Sequence, residues 1–190
     1  MLAAPPEAAP GELLYSNAAF VVAGAMAERA TGEAWEDLLR ARLLKPLNIT
    51  SAGTGWPARG GKYAPAGHRE VGGTLRVDDN GTEMPLRVPA GNLHMNAADL
   101  ATFARVHLRA LAGQDSVVSA ASLQAWYRVK GYDGGTEQIC YRGSGGSFYA
   151  VLALRPAERQ AIVLMTNGGD DADELPGSVL TALTQGVAEL

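Results

Sequence analysis

The stretch YRGSGGSFYAVLALRPAERQAIVLMTN, residues 141–167, decides the fold. Together with the preceding EQIC it holds three runs rich in β-branched and aromatic residues, at 137–143, 147–156 and 159–167. They are separated only by SGG and by PAER, the latter a loop of hairpin length. Strands joined this tightly form an antiparallel meander, because parallel neighbours need a crossover of a dozen or more residues. The turn GGDDAD then leads into a predicted last helix over roughly 174–189.

Upstream of Gly131 the period is helical rather than alternating. After a Pro/Ala/Gly-rich lead-in over 1–12, a helix is predicted from Ala18 to Ala30 with Thr31-Gly32 as its end. A second follows in EAWEDLLRARLLKPL, where Trp35, Leu38, Leu39 and Leu43 share a face and Pro46 stops the run. Residues 48–92 are rich in glycine, proline and turn pairs such as Asn80-Gly81, with one short alternating run, TLRVDD. We expect a long, mostly irregular excursion, and a stretch of that kind inside a compact protein is either a wall of a site or a plain surface insertion. Helix returns at NAADLATFARVHLRAL, with Asn96 as cap, Asp99 three residues on, and Leu100, Phe103, Val106 and Leu111 on one face. A shorter helix starts near Ser119 and holds Leu123 and Trp126. Helices first, antiparallel strands next and a closing helix give an α+β layout in which helices cover a sheet.

Composition narrows the function. The chain has 190 residues, 47% of them hydrophobic, enough for a real core. A net charge of −4 with scattered Lys and Arg leaves no footprint for nucleic acid. No run approaches the roughly 18 apolar residues of a membrane span, and MLAAPPEAAP lacks the basic and apolar parts of an export signal. The compartment stays open. Cys140 is the sole cysteine, so neither an internal disulfide nor a multi-cysteine metal site is possible.

Several site types fall away. His68, His94 and His107 have no ligand spacing and read as loop or helix-surface histidines. GGDDADE shares only acidity with a calcium loop, and RGSGGS stands between strands, whereas a phosphate cradle joins strand to helix with a lysine after it. No metal or cofactor is implied.

What remains is PGELLYSNAAF, where Tyr15, Ser16 and Asn17 stand together at the entry to the first helix. With the second helix ending in KPLNI, with PAGNLHMNAADLATFARVHL and with the 141–167 meander, this element resembles, in collinear order over about 10–170, the serine β-lactamase and penicillin-binding protein superfamily. The similarity is to its class C β-lactamase, D-alanyl-D-alanine carboxypeptidase and family VIII esterase branch. The resemblance implies a partial β-lactamase-like, transpeptidase-like fold over 1–190. It has a helical lobe at 14–127 that carries the 48–92 excursion, then strands and a terminal helix over 131–190.

It also implies acyl-enzyme hydrolysis of a lactam, peptide or ester. Tyr15 takes the place of the family's general acid/base and Asn17 of its orienting amide. Counting back from Phe148, the substrate-binding wall falls on Tyr141, Arg142 and Gly143, and Ser144 offers one backbone N–H to the oxyanion. Arg142 suits a substrate carboxylate, or is a strand residue facing solvent. The plain structural alternative for the first pair is that Asn17 caps the helix while Tyr15 packs its ring beneath it.

The departures are equally specific. None of the eight serines has a lysine three residues on, so the family's Ser-x-x-Lys nucleophile element is missing. Tyr141-Arg142 also replaces the usual His or Lys followed by a hydroxyl residue. Ser16 is no substitute, because no lysine or histidine beside it in sequence could take its proton.

Three expectations follow. The chain alone is inactive, and it is either the C-terminal portion of a serine hydrolase or a non-catalytic relative that binds ligand or self-assembles. The strand at 161–166, which the family flanks with its first strands, pairs with a missing N-terminal segment or a second copy. The partner chemistry is a small-molecule substrate, with no nucleic acid or membrane.

Overall fold

The computed structural model describes residues 7–55, 64–78, 89–129 and 138–168, with Pro5 and Pro57. The predicted last helix at 174–189 and the Asn80-Gly81 turn lie outside the described residues.

The meander forms as expected. β5 (Ile139–Ser144), β6 (Tyr149–Arg155) and β7 (Gln160–Thr166) make an antiparallel sheet in the order β5-β6-β7. Register runs from Ile139↔Leu154 to Ser144↔Tyr149 and from Tyr149↔Thr166 to Arg155↔Gln160. At the first turn the Gly145 N–H donates to the Phe148 carbonyl at 2.9 Å, and Gly146 takes φ 79°. Glycine at the first central position of a two-residue loop matches the right-handed strand twist, which is why Gly-Ser stands there.

Helices cover one face of this sheet. α3 (Ala97–Leu111) packs on β7, β6 and α4 (Ala120–Val129). Ala104, Tyr127, Leu152 and Leu154 form the buried centre, ringed by Phe103, Leu108, Leu111, Ile139, Tyr141, Ala161 and Val163. The alternate residues Tyr149, Val151 and Ala153, buried with Ile162 and Leu164 against them, form a second cluster. Fully burying one such large apolar side chain contributes about 1.5–3 kcal/mol.

α1 (Asn17–Thr31) ends at Gly32 in the left-handed conformation, φ 74°, as Thr31-Gly32 foretold. It packs on α2 (Trp35–Leu39), whose Trp35 N–H donates to Glu28 Oε1 at 3.0 Å. The ordinary amphipathic helix expected here is not what forms. After Leu39 the helix widens into a π-helical turn over Arg40–Leu44, with the Lys45 N–H on the Arg40 carbonyl at 2.9 Å. The wider turn buries Leu44, with Leu43 beside it only partly covered.

The excursion is more ordered than its composition suggested. TLRV is β3 (Thr74–Val77), and its unforeseen partner HREV is β2 (His68–Val71), joined through Gly72-Gly73 with φ 60° and 76°. Two consecutive positive φ values are what a type I′ hairpin turn demands and glycine supplies. A short pair, β1 (Gly53–Thr54) with β4 (Leu93–His94), closes the excursion. Pro89 then lies against α1, where a Cβ on Gly24 would sit 2.2 Å from its Cγ.

Two polar groups fasten the helical side. Asn96 caps α3 as expected, accepting from the Asp99 N–H at 2.9 Å. Asp99 does not reach back to complete a capping box. Its Oδ2 accepts from the Thr50 N–H (3.0 Å), the Ser51 N–H (2.8 Å) and the Ser51 hydroxyl (2.6 Å), while Ser51 Oγ takes the Asn96 N–H (3.0 Å). The Ser51 hydroxyl bond, first among these, holds the Asp99 carboxyl below its ordinary range.

His107 corrects a sequence expectation. It is not on the helix surface but buried, with Nδ1 2.7 Å from the Tyr127 hydroxyl, and burial lowers its pKa. Both groups bind fewer protons folded than unfolded, so each loses stability as pH falls, in separate windows. The His107 contribution is full above about 6.5 and declines as pH drops through its lowered folded value; the Asp99 contribution declines from about 3.8 downward. Urea titrations across pH 8 to 2 will show two steps, the upper one removed by His107→Gln and the lower one by Asp99→Asn.

Candidate functional site

The entry to α1 is built by a division of labour among three adjacent residues. Ser16 is the cap: its backbone is extended and its Oγ accepts from the Ala19 N–H at 3.3 Å. The alternative in which Asn17 caps the helix is therefore corrected by one position, because Asn17 already has helical geometry as the first residue of α1. With the cap taken by Ser16, the Asn17 side chain is left for Tyr15. The Tyr15 hydroxyl donates to Asn17 Oδ1 at 2.9 Å. Tyr15 does not pack beneath the helix either; it is 75% exposed, its ring 6.2 Å from that of Phe20.

The second group of candidates lies on β5. The Gly145–Phe148 bond makes 145/148 a hydrogen-bonded pair, so ladder alternation makes 143/150 bonded and 144/149 non-bonded. The backbone N–H of Ser144 is thereby turned away from β6, toward the outer edge of the sheet. Its hydroxyl accepts from the Gly146 N–H at 3.2 Å, which fixes the turn.

Side chains on β5 alternate accordingly. Tyr141 faces the helices, half-buried and stacked on Trp126 with rings 5.7 Å apart and 15° from parallel; burial raises its pKa, and the neighbouring Tyr127 hydroxyl partly opposes this. Arg142, Cys140 and Ser144 face the other way and are exposed. Among the described residues no carboxylate pairs with Arg142. Gly143 has open space where a side chain would be.

Tyr15 and Asn17 are thus brought together, as are Tyr141, Trp126 and Tyr127, but the described contacts of the first pair stay on α1 and do not reach β5. Down α1 from Tyr15 runs a shallow apolar groove of about 450 Å³ lined by Val22, Ala25, Met26, Arg29 and Ala30. No residue of α1 is buried.

The model of the beta-lactamase family matches residues 1–185. The chain belongs to that family. It is 28% identical to penicillin-binding protein 4 of Amycolatopsis lactamdurans, covering 82% of this chain and 47% of that one. Among solved structures, SurE aligns at 25% identity and a TM-score of 0.69 over 90% of this chain and 44% of its own. A penicillin-binding protein from Bacillus halodurans shares the fold at 15% identity, with a TM-score of 0.71 over 95% of this chain and 60% of its own. The chain spans about half the length of the relatives it matches. Within this serine-hydrolase-type family, the described residues include no group of three or more His, Cys, Asp or Glu placed to hold a metal ion.

Sequence reasoning missed Ser16, Ser51, Asp78 and Ser147 as structural polar residues. Only Ser16 carried a local signal, a serine just ahead of an apolar helical run. Loss of the cap in Ser16→Ala lowers stability by about 1 kcal/mol. Asn17→Ala, on the exposed face of the first turn, changes it by less than about 0.5 kcal/mol. Urea denaturation of the two variants checks the contrast.

Proposed function

We propose that this chain supplies the proton-handling and substrate-wall part of an acyl-transfer site in a serine hydrolase of the β-lactamase, carboxypeptidase or esterase type. The observation that carries the reading is the Tyr15–Asn17 hydrogen bond at the head of α1, in a family member whose Ser16 already serves as the cap. The nucleophile is provided by a Ser-x-x-Lys segment outside these 190 residues, since none of the eight serines here meets that pattern.

In the completed site Tyr15 passes the proton between the attacking hydroxyl and the leaving group, acting as general acid and base. Asn17 holds the phenol in one orientation and offers its amide to the substrate. The Ser144 N–H, at the outer edge of β5, donates to the oxyanion as the tetrahedral carbon forms. Arg142 receives a substrate carboxylate and Gly143 leaves open space beside it, while Tyr141, on the opposite face, serves the wall indirectly by holding the backbone of β5 through its Trp126 stack.

The chain alone gives no turnover of a chromogenic β-lactam or a short-chain p-nitrophenyl ester. Adding a Ser-x-x-Lys segment taken from a relative restores it, and Tyr15→Phe then lowers kcat by roughly 10²- to 10⁴-fold. Persistent inactivity of a folded complex, or turnover indifferent to Tyr15→Phe, overturns the reading.

The alternative is a non-catalytic relative that binds ligand or assembles with itself. Its support is the commitment of Tyr141 to an aromatic stack where the family has a His or Lys.

Either way a second surface completes the fold. Among the described residues β7 pairs with β6 alone, and all seven of its residues are only partly buried. An apolar strand edge of this kind takes another strand, from the missing segment or a second copy. Light scattering of the chain by itself will give a mass above 19.8 kDa, and a monodisperse monomer at that mass contradicts the expectation.

A further inference from the structure

The β2–β3 hairpin and the β5–β6 turn meet at a buried polar contact 69 residues apart in sequence. Asp78 follows β3 directly. Its side chain is 2% exposed, its Oδ1 accepts from Arg69 Nη2 at 2.8 Å, and its Oδ2 accepts from the Ser147 hydroxyl. Ser147 is itself fully buried and is the second central residue of the turn that follows Ser144. A carboxylate so enclosed is retained only with both its oxygens satisfied, which gives each partner a fixed place.

The backbone meets at the same point. The Asp78 N–H donates to the Gly67 carbonyl at 2.8 Å, and the His68 N–H is shared between the carbonyls of Asn167 (2.7 Å) and Ser147 (3.3 Å). Gly67 leaves no room for anything larger: a Cβ there would lie 2.6 Å from the Ser147 Cβ and 2.8 Å from the Phe148 ring. The loop at the tip of β5 is therefore held from outside the sheet as well as by its own ladder.

We propose that Asp78 is a positioning residue whose contacts with Ser147 and Arg69 clamp the β2–β3 hairpin to the β5–β6 turn and thereby set the direction of the Ser144 backbone N–H. The inference rests on the acyl-transfer reading for its catalytic meaning, but its geometry is testable without turnover. It assigns the excursion a task as a brace for the oxyanion donor, and the brace acts through Ser147, three residues beyond Ser144.

The test is a ¹⁵N–¹H spectrum of the whole chain with Ser147→Ala. We expect the Ser144 and Gly145 cross-peaks to shift and the amides of Asp78 and His68 to lose exchange protection, with the near-ultraviolet signature of the Trp126–Tyr141 stack unchanged. Thr74→Ala, at the Gly72-Gly73 end of the same hairpin and opposite Val71, leaves those peaks in place. Should Ser147→Ala fail to fold, Arg69→Gln, at the half-exposed end of the clamp, decides by the same readout. Unmoved Ser144 and Gly145 peaks beside a released hairpin overturn the proposal, as does a hairpin that stays protected.

In the chain completed with a Ser-x-x-Lys segment, Ser147→Ala lowers kcat with KM held, because the oxyanion contact exists only in the transition state. If the completed wild type shows no turnover, the acyl-transfer reading fails while the amide readout still judges the clamp.

Discussion

Burial of β6 on both faces is the constraint from which the rest of the architecture follows. Leu152 and Leu154 point to α3 and α4, Tyr149, Val151 and Ala153 to the opposite side, and all five are buried. A strand so placed cannot slip by one residue without exchanging its two faces. Its register therefore fixes β5 on one flank and β7 on the other, and with β5 the orientation of every candidate wall residue. Alternation from Leu152 and Leu154 puts Tyr141 under α4 and leaves Arg142 and the Ser144 N–H to face outward.

The helical lobe is held by different means. α1 buries none of its residues, although apolar and small side chains dominate it, and its described neighbours are α2 and the returning loop at Pro89. What fixes its head is polar: the Ser16 cap and the Tyr15–Asn17 bond. This contrasts with α3, whose position is set by Ala104, Val106 and Ala110 in the core and by the Asp99 anchorage at its start. A chain belonging to the beta-lactamase family thus joins a well-packed half around β6 to a half that presents apolar surface outward.

Much of this was legible in the sequence because it is local. Alternation and turn residues gave the three strands, and the 3.6 period gave α1, α3 and α4, with Asn96 and Gly32 at their ends. The errors have physical causes. His107 lies on the same stripe as Phe103, Ala104 and Ala110, four and three residues away, but its polarity hid it among surface positions. HREV looks too charged for a strand, and the Gly72-Gly73 turn was the better signal. The π-helical turn after Leu39, which ends on the buried Leu44, has no residue signature in the sequence. Of the site, the Tyr15–Asn17 pair was picked out by the collinear resemblance to the superfamily and not by its spacing, whereas Asp78 and Ser147 are linked only by folding.

The long reach of the excursion's contacts orders the assembly of the molecule in time. The hairpins of the meander close loops of only a few residues, but the Asp99–Ser51 bonds span 48 residues and the Asn167 Nδ2–Ala66 bond spans 101. Closing a longer loop costs more chain entropy, and non-local pairings form late. During synthesis the excursion leaves the ribosome before the strand tips that receive it, so its contacts with Ser147 and Asn167 can form only once those tips have emerged.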